Sequence, residues 1–173
     1  SKEIMDKILT RQSIFGTAGG TFSTWLVQRS MLTVGLRVKK QMDNADKLAR
    51  ALEKDPHVIK VNYPTVEKYP QKELAKKLFK NSNMCGAMLS FEMPSDREKI
   101  NEFMKRLNIC HYAPTLGGVR TTMSHPATSS HRDLPEEMKK ALGITEGLMR
   151  ISVGIEEPED LIADFTQALK AFD

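Results

Sequence analysis

From Thr21 to about Lys54, apolar residues recur at three- and four-residue steps, and no other stretch constrains the architecture as strongly. Trp25, Leu26, Met31, Leu32, Leu36, Leu48, Ala49 and Leu52 carry the pattern. Ser23 is placed to cap its start, and Pro56 follows two residues after its end. A helix of about 30 residues is on the order of 45 Å long. That exceeds the width of the single core expected of 173 residues. The helix is therefore expected to run between two bodies, bending near Gly35. The division expected is residues 1–34, which close one body and start the helix, and residues 35–173, which form the other.

Upstream, Ser1 to Thr10 reads as a helix, with Ile4, Met5, Ile8 and Leu9 on one side, and Gln12 to Gly20 reads as a Ser/Thr/Gly-rich loop. Downstream the periods alternate. Strands are expected at Val58–Asn62, Gly86–Met93, Val119–Met123 and Leu148–Val153. Helices are expected at Gln71–Phe79, from a Ser95 cap through Arg106, at Pro135–Leu142, and from Glu157-Pro158 to the end. Short loops between alternating elements indicate an open sheet with helices on one face.

Composition narrows the function classes. The net charge of +4 is mild, and basic residues such as Lys72, Lys76, Lys77 and Lys80 are spread among apolar positions. A nucleic-acid partner would call for a stripe or arm of them beside stacking aromatics, so none is expected. No apolar run approaches the roughly 20 residues that span a bilayer, and no basic segment followed by an apolar one opens the chain. No membrane partner is expected, and the location expected is cytoplasmic. Cys85 and Cys110 lack metal-like spacing and sit in apolar runs that read as strands, which suggests buried free thiols. A helical segment already under way at Ser1 suggests a piece or processed product of a longer chain.

Few residues offer chemistry. There is no phosphate-binding glycine loop, no nucleophile elbow and no His pair at ligand spacing. Arg150 interrupts the apolar run Leu148 to Val153, where a guanidinium needs an anionic partner. A substrate carboxylate would suit its planar fork; on pattern alone an edge-strand arginine facing water or an acid is the commoner case. Thr115-Leu116-Gly117-Gly118-Val119 allows close approach to a ligand, but on spacing alone a turn is the better reading. His125 and His131 flank a proline segment without a third metal ligand. His125 is either an acid–base group or, more commonly for such a position, a hydrogen-bonded loop residue.

In order along the chain, several runs together resemble the Cys/Met metabolism family of pyridoxal-phosphate-dependent enzymes. These are Thr24 to Thr33 with Leu36-Arg37 and Asn44-Ala45, Gly86 to Glu92, Leu116 to Val119, His125-Pro126-Ala127, Leu148 to Glu156 and Glu159 to Ile162. Each run is weak alone; their order and spacing carry the assignment. Members include cystathionine γ-synthase, cystathionine γ- and β-lyases, methionine γ-lyase and O-acetylhomoserine sulfhydrylase.

The resemblance implies a C-terminal portion covering under half of a typical member. The expected fold is α+β: an open, mostly antiparallel sheet with helices on one face, preceded by the long helix. Residues 1–34 would then be the tail of the cofactor-binding domain and 35–173 the small domain. The resemblance makes Arg150 the anchor of the substrate α-carboxylate. It puts Thr115 where serine usually contacts substrate and the catalytic lysine, and Pro114 and Ser129 at substrate-lining positions that vary among members. The segment of Gln12 and Ser13 corresponds to one reaching a neighbouring subunit's site. The Schiff-base lysine and the other groups that hold pyridoxal phosphate are expected upstream, so neither catalytic nor cofactor-binding residues are expected here, and no metal. The parent would be a carbon–sulfur lyase or γ-replacement transferase acting on a sulfur amino acid, assembled as a homo-oligomeric dimer of dimers. This chain would be inactive alone, with Trp25, Leu26 and Leu32 left as an apolar patch. The alternative is a free-standing, non-catalytic assembly or binding domain derived from the family.

Overall fold

A computed structural model describes residues 1–79 and 84–173, so Lys80 lies outside the described residues. The chain divides into two compact units, Ser1–Gly35 and Leu36–Asp173.

The first unit contains α1 (Lys2–Phe15) and α2 (Thr21–Met31). Helix α1 continues five residues past the expected end, so Gln12 and Ser13 are helical and not in a loop. The Ser13 hydroxyl donates back to Leu9 O at 3.0 Å within the helix. Gly16, at φ 65, ends it by adopting the left-handed cap that a Cβ disfavours, and its N–H bonds Gln12 O at 2.9 Å. Neither helix has a buried residue, and Trp25, Leu26 and Leu32 are exposed. Phe22 and Trp25 lie 6.0 Å apart, with the Arg29 guanidinium 6.0 Å from the Trp25 ring centre.

The expected 30-residue helix is interrupted. Helix α2 stops at Met31, and α3 (Val34–Lys54) begins after a turn at Leu32 and Thr33. Thr33 Oγ1 approaches Ser30 O at 3.5 Å, a hydroxyl competing with the backbone ladder. Gly35 lies inside the first turn of α3 and is not the break.

The second unit builds the sheet. Its strands are β1 (Lys60–Asn62), β2 (Met88–Glu92), β3 (His111–Tyr112), β4 (Thr122–Ser124) and β5 (Leu148–Ser152), in spatial order β1-β2-β5-β4-β3. All neighbours are antiparallel except β3 and β4, which run parallel. The two-residue β3 carries no periodic signal and went unanticipated, and β4 starts three residues later than the apolar run suggested. Helices α4 (Lys72–Leu78), α5 (Arg97–Arg106), α6 (Glu136–Ala141) and α7 (Pro158–Leu169) complete the unit. Asp96, not Ser95, caps α5, its Oδ1 accepting from Glu98 N and Lys99 N, each at 3.1 Å.

Strand alternation sends Val61, Leu89, Phe91, Met123, Met149 and Ile151 to one face, where α3, α5 and α7 cover them with Leu48, Leu52, Ile100, Phe103, Leu161 and Phe165. Phe91, Phe103 and Phe165 form an aromatic triad with centroids 6.1 to 6.2 Å apart. Cys110 is buried just before β3. Cys85 lies outside any strand and is half-buried, which corrects the expectation of two buried strand thiols.

Candidate active site

The same alternation turns the opposite face of the sheet polar. Lys60 and Asn62 of β1, Ser90 and Glu92 of β2, Arg150 and Ser152 of β5, and Thr122 and Ser124 of β4 alternate with the core residues. Arg150 occupies the middle of the central strand, opposite Ser90 on one side and Ser124 on the other. Asn62 Nδ2 donates to Ser90 Oγ at 3.0 Å, extending a polar row across four strands. The Arg150 side chain is half-buried and has no ion pair or hydrogen bond among the described residues. Ser124, 4 % exposed, keeps a buried hydroxyl without a partner among the described residues. The sequence alternatives for Arg150 are thus narrowed: it is neither on an edge strand nor paired with a described acid.

Two connections bound this face. The segment between β3 and β4 carries Pro114, Thr115, Gly117 and Gly118. Thr122 Oγ1 donates to Thr115 O at 3.1 Å, and Gly117 N donates to Ser152 Oγ at 2.9 Å. Gly117 has φ 75, so the Gly-Gly pair makes the turn that its spacing suggested. Gln41 Nε2 of α3 holds Gly118 O at 2.6 Å. Pro114 and Thr115 are exposed.

The end of the segment is locked to the residues after β5. The Glu156 carboxylate accepts from Thr121 N at 2.6 Å and Thr121 Oγ1 at 2.8 Å, while Thr121 Oγ1 accepts from Gly154 N at 2.9 Å. Asn44 Nδ2 reaches Gly154 O at 3.1 Å and Glu156 O at 2.6 Å. A Cβ at residue 154 would collide with Val119 O and the Glu156 carboxylate, so only glycine fits.

The second connection follows β4. His125 Nε2 lies 2.7 Å from Glu146 O, and Ser129 Oγ donates to His125 O at 2.6 Å. Burial holds the His125 imidazole below its usual pKa, opposed by the hydrogen bond to Glu146 O and by the Glu146 carboxylate, with Arg97 again lowering it. His125 is thus a buried loop residue bonded to backbone, and His131 bonds Ser130 Oγ at 2.8 Å. Ser129, half-buried, lies one tight turn beyond Ser124, across the strand pair from Arg150. Thr115 is tied to β4 through its carbonyl and Ser129 follows the turn after β4, whereas Pro114 is exposed on the β3–β4 segment. Sequence reasoning missed Asn62, Ser90, Ser124 and Ser152. Period-2 alternation marks their outward side, but strand pairing alone sets them beside Arg150.

A pyridoxal phosphate site needs a lysine in imine linkage, an acid or arginine at the ring nitrogen and an anion cradle. No described lysine is buried; Lys2 and Lys7 sit on exposed α1, with Lys7 Nζ 2.8 Å from Glu3. The one buried acid described, Asp164, is engaged by the N–H groups of residues 108–110. The described residues do not fit the group. They also contain no cluster of three or more His, Cys, Asp or Glu able to hold a metal ion, and no helix long and apolar enough to cross a membrane.

Sheet topology and sequence converge on one family. The family model described as Cys/Met metabolism PLP-dependent enzyme matches residues 1–170. A cystathionine β-lyase of Lactococcus lactis subsp. cremoris (strain MG1363) is 38% identical over 170 residues, spanning 98% of this chain and 44% of that protein. An L-methionine γ-lyase of Treponema denticola is 37% identical over 170 residues, spanning 97% of this chain and 42% of that protein. The crystal structure of a cystathionine γ-lyase (CalE6) from Micromonospora echinospora superposes with a TM-score of 0.86 at 30% identity, covering 98% of this chain and 44% of that one. The chain belongs to the Cys/Met metabolism family of PLP-dependent enzymes. It spans less than half the length of the curated relatives it matches.

Proposed function

We propose that this chain supplies the substrate-carboxylate end of a PLP-dependent trans-sulfuration site. The observation that carries the reading is Arg150, held at the centre of the polar sheet face between Ser90 and Ser124 with no described acid to neutralise it. A guanidinium so placed presents paired donors to a carboxylate and fixes the amino acid's orientation, which is a positioning effect on the bond to be broken. Thr115 and Ser129 line the same face, and Pro114 shapes its rim without offering a charge or an N–H. The cofactor, held by residues other than those described, supplies the electron withdrawal that makes carbon–sulfur cleavage possible. The reaction is elimination or replacement at the β or γ carbon of cystathionine, methionine or an O-acylhomoserine, in a cytoplasmic homo-oligomer. On this reading residues 1–34 end the cofactor-binding domain and 35–173 are the small domain. The exposed apolar residues of α1 and α2 then face the rest of the enzyme.

In the complete enzyme, Arg150→Ala is expected to raise KM for the amino acid on the order of 100-fold, the cost of unpairing a bound carboxylate. Arg150→Lys should recover part of that loss, because a point charge replaces a bidentate fork. An unchanged KM in Arg150→Ala would remove the residue from the site. A non-catalytic binding domain is the second reading, favoured by the misfit between the described residues and the cofactor. Pyridoxal phosphate added to this chain alone should produce no absorbance band of a lysine-linked cofactor; such a band would place the cofactor lysine within it.

A further inference from the structure

We propose that the cavity enclosed by Arg50, Thr65, Lys72 and Lys76 binds a phosphate dianion, free or carried by a small ester. The cavity has a volume of about 230 Å³ and lies within the second unit, lined by α3, the turn after β1 and α4. It shares no residue with the polar face around Arg150.

Three cations line it against a single carboxylate, Glu67. Arg50 is held by its Nε, which donates to both Asp46 oxygens at 3.1 and 3.0 Å, so its outer nitrogens have no described partner. Asp46 thereby orients the fork and keeps it charged, raising the Arg50 pKa through the hydrogen bond. Lys72 Nζ meets Glu67 at 2.5 Å and Lys76 Nζ meets Glu73 at 2.6 Å. Both acids are largely exposed, at 76% and 79% of the side chain. Such solvated pairs contribute little, so either ammonium can exchange its partner for a ligand at small cost.

Thr65 is the second and independent observation. It is 5 % exposed, lines the cavity, and its Oγ1 is buried without a hydrogen-bond partner among the described residues. Orphaned buried hydroxyls are uncommon and point to a missing partner. A tetrahedral dianion presents enough acceptors for the guanidinium, two ammoniums and one hydroxyl at once; with Arg50 balanced by Asp46, its charge matches Lys72 and Lys76 once it displaces the solvated Glu67 and Glu73. A monocarboxylate leaves one of each unmet.

Titration calorimetry on the folded chain at constant ionic strength tests this, with inorganic phosphate, glycerol 3-phosphate and acetate as separate ligands. Saturable phosphate binding and no acetate binding are expected. Lys76→Gln should weaken phosphate about tenfold, one charge-assisted hydrogen bond being lost. Thr65→Val should also weaken it while leaving the ligand-free melting temperature unchanged or raised, since the hydroxyl has no described protein bond to lose. Tighter binding of glycerol 3-phosphate assigns the site to a phosphate monoester, and equal or weaker binding to free phosphate. The proposal is overturned by the absence of saturable phosphate heat, by acetate binding as well as phosphate, or by wild-type phosphate affinity in both variants.

Discussion

Thr121→Val removes one oxygen and should loosen the junction that fastens the β3–β4 segment to the end of β5. Thr121 is fully buried, and its hydroxyl makes two bonds: a donation to the Glu156 carboxylate at 2.8 Å and an acceptance from Gly154 N at 2.9 Å. The first is charge-assisted and contributes about 1.5–3 kcal/mol; the second, neutral, contributes about 0.5–1.5 kcal/mol. Valine matches threonine in shape, so no cavity is added. The buried Gly154 N–H and one Glu156 oxygen then lose their Thr121 partner. The expected loss is about 2–4 kcal/mol. With a urea m-value of about 2 kcal/mol/M, the midpoint should fall by about 1–2 M. Hydrogen exchange at Gly154 should accelerate while exchange in α5 does not. Thr121→Ser retains both bonds and should lose only about 1 kcal/mol for its methyl group. A Thr121→Val midpoint within about 0.2 M of wild type, or a Thr121→Ser effect equal to it, would refute this account.

Asp164→Asn should cost about 2–4 kcal/mol by chemical denaturation, because Oδ1 accepts from Asn108 N at 2.8 Å and Oδ2 from Ile109 N at 3.0 Å and Cys110 N at 3.2 Å, and an amide turns donors toward one of these groups. A loss under about 0.5 kcal/mol would show that the carboxylate does not hold the approach to β3. For His125, burial lowers the folded pKa below the unfolded value of about 6.5, so its stabilising contribution is present above that pH and is lost as pH falls toward the folded pKa. The stability difference between pH 7 and pH 5 should therefore shrink in His125→Asn, and an unchanged difference would assign acid sensitivity elsewhere. Burial, reinforced by Asp164 and Glu156, pushes the Cys110 thiol up to about 12 from 9, giving stability that is whole below pH 9 and lost as pH rises toward 12. Alkylation of Cys110 at pH 8 should follow global unfolding, whereas labelling at the unfolding-independent rate of a free thiol would contradict its burial.

How much was legible in the sequence follows from what kind of order periodicity encodes. Apolar spacing reports which side of a segment faces a core, and that was enough to find α3, α5, α7 and the strands at Met88–Glu92 and Leu148–Ser152, along with an open sheet covered on one face, whereas its mostly antiparallel pairing was implied by the family resemblance alone. Ordered short runs such as Leu148 to Glu156 were enough to place the chain in its family. Local chemistry without an apolar period was misread. The polar stretch around Gln12 and Ser13 is helical because backbone bonds and the Gly16 cap close it, and the helix expected through Leu32 is interrupted where the Thr33 hydroxyl competes for Ser30 O. Cap choice at Asp96 and the two-residue β3 depend equally on bonds that spacing does not record.

The site shows the division most clearly. Arg150 stands out in its own sequence run because a charge in an apolar strand is costly, yet no local pattern says whether that strand is central or at an edge. Strand order β1-β2-β5-β4-β3 makes it central and brings Ser90 and Ser124, respectively 60 and 26 positions away in number, to its two sides. Those pairings are long-range backbone hydrogen bonds, chosen because together they bury the apolar face that β1, β2, β4 and β5 share, and only the folded chain evaluates them.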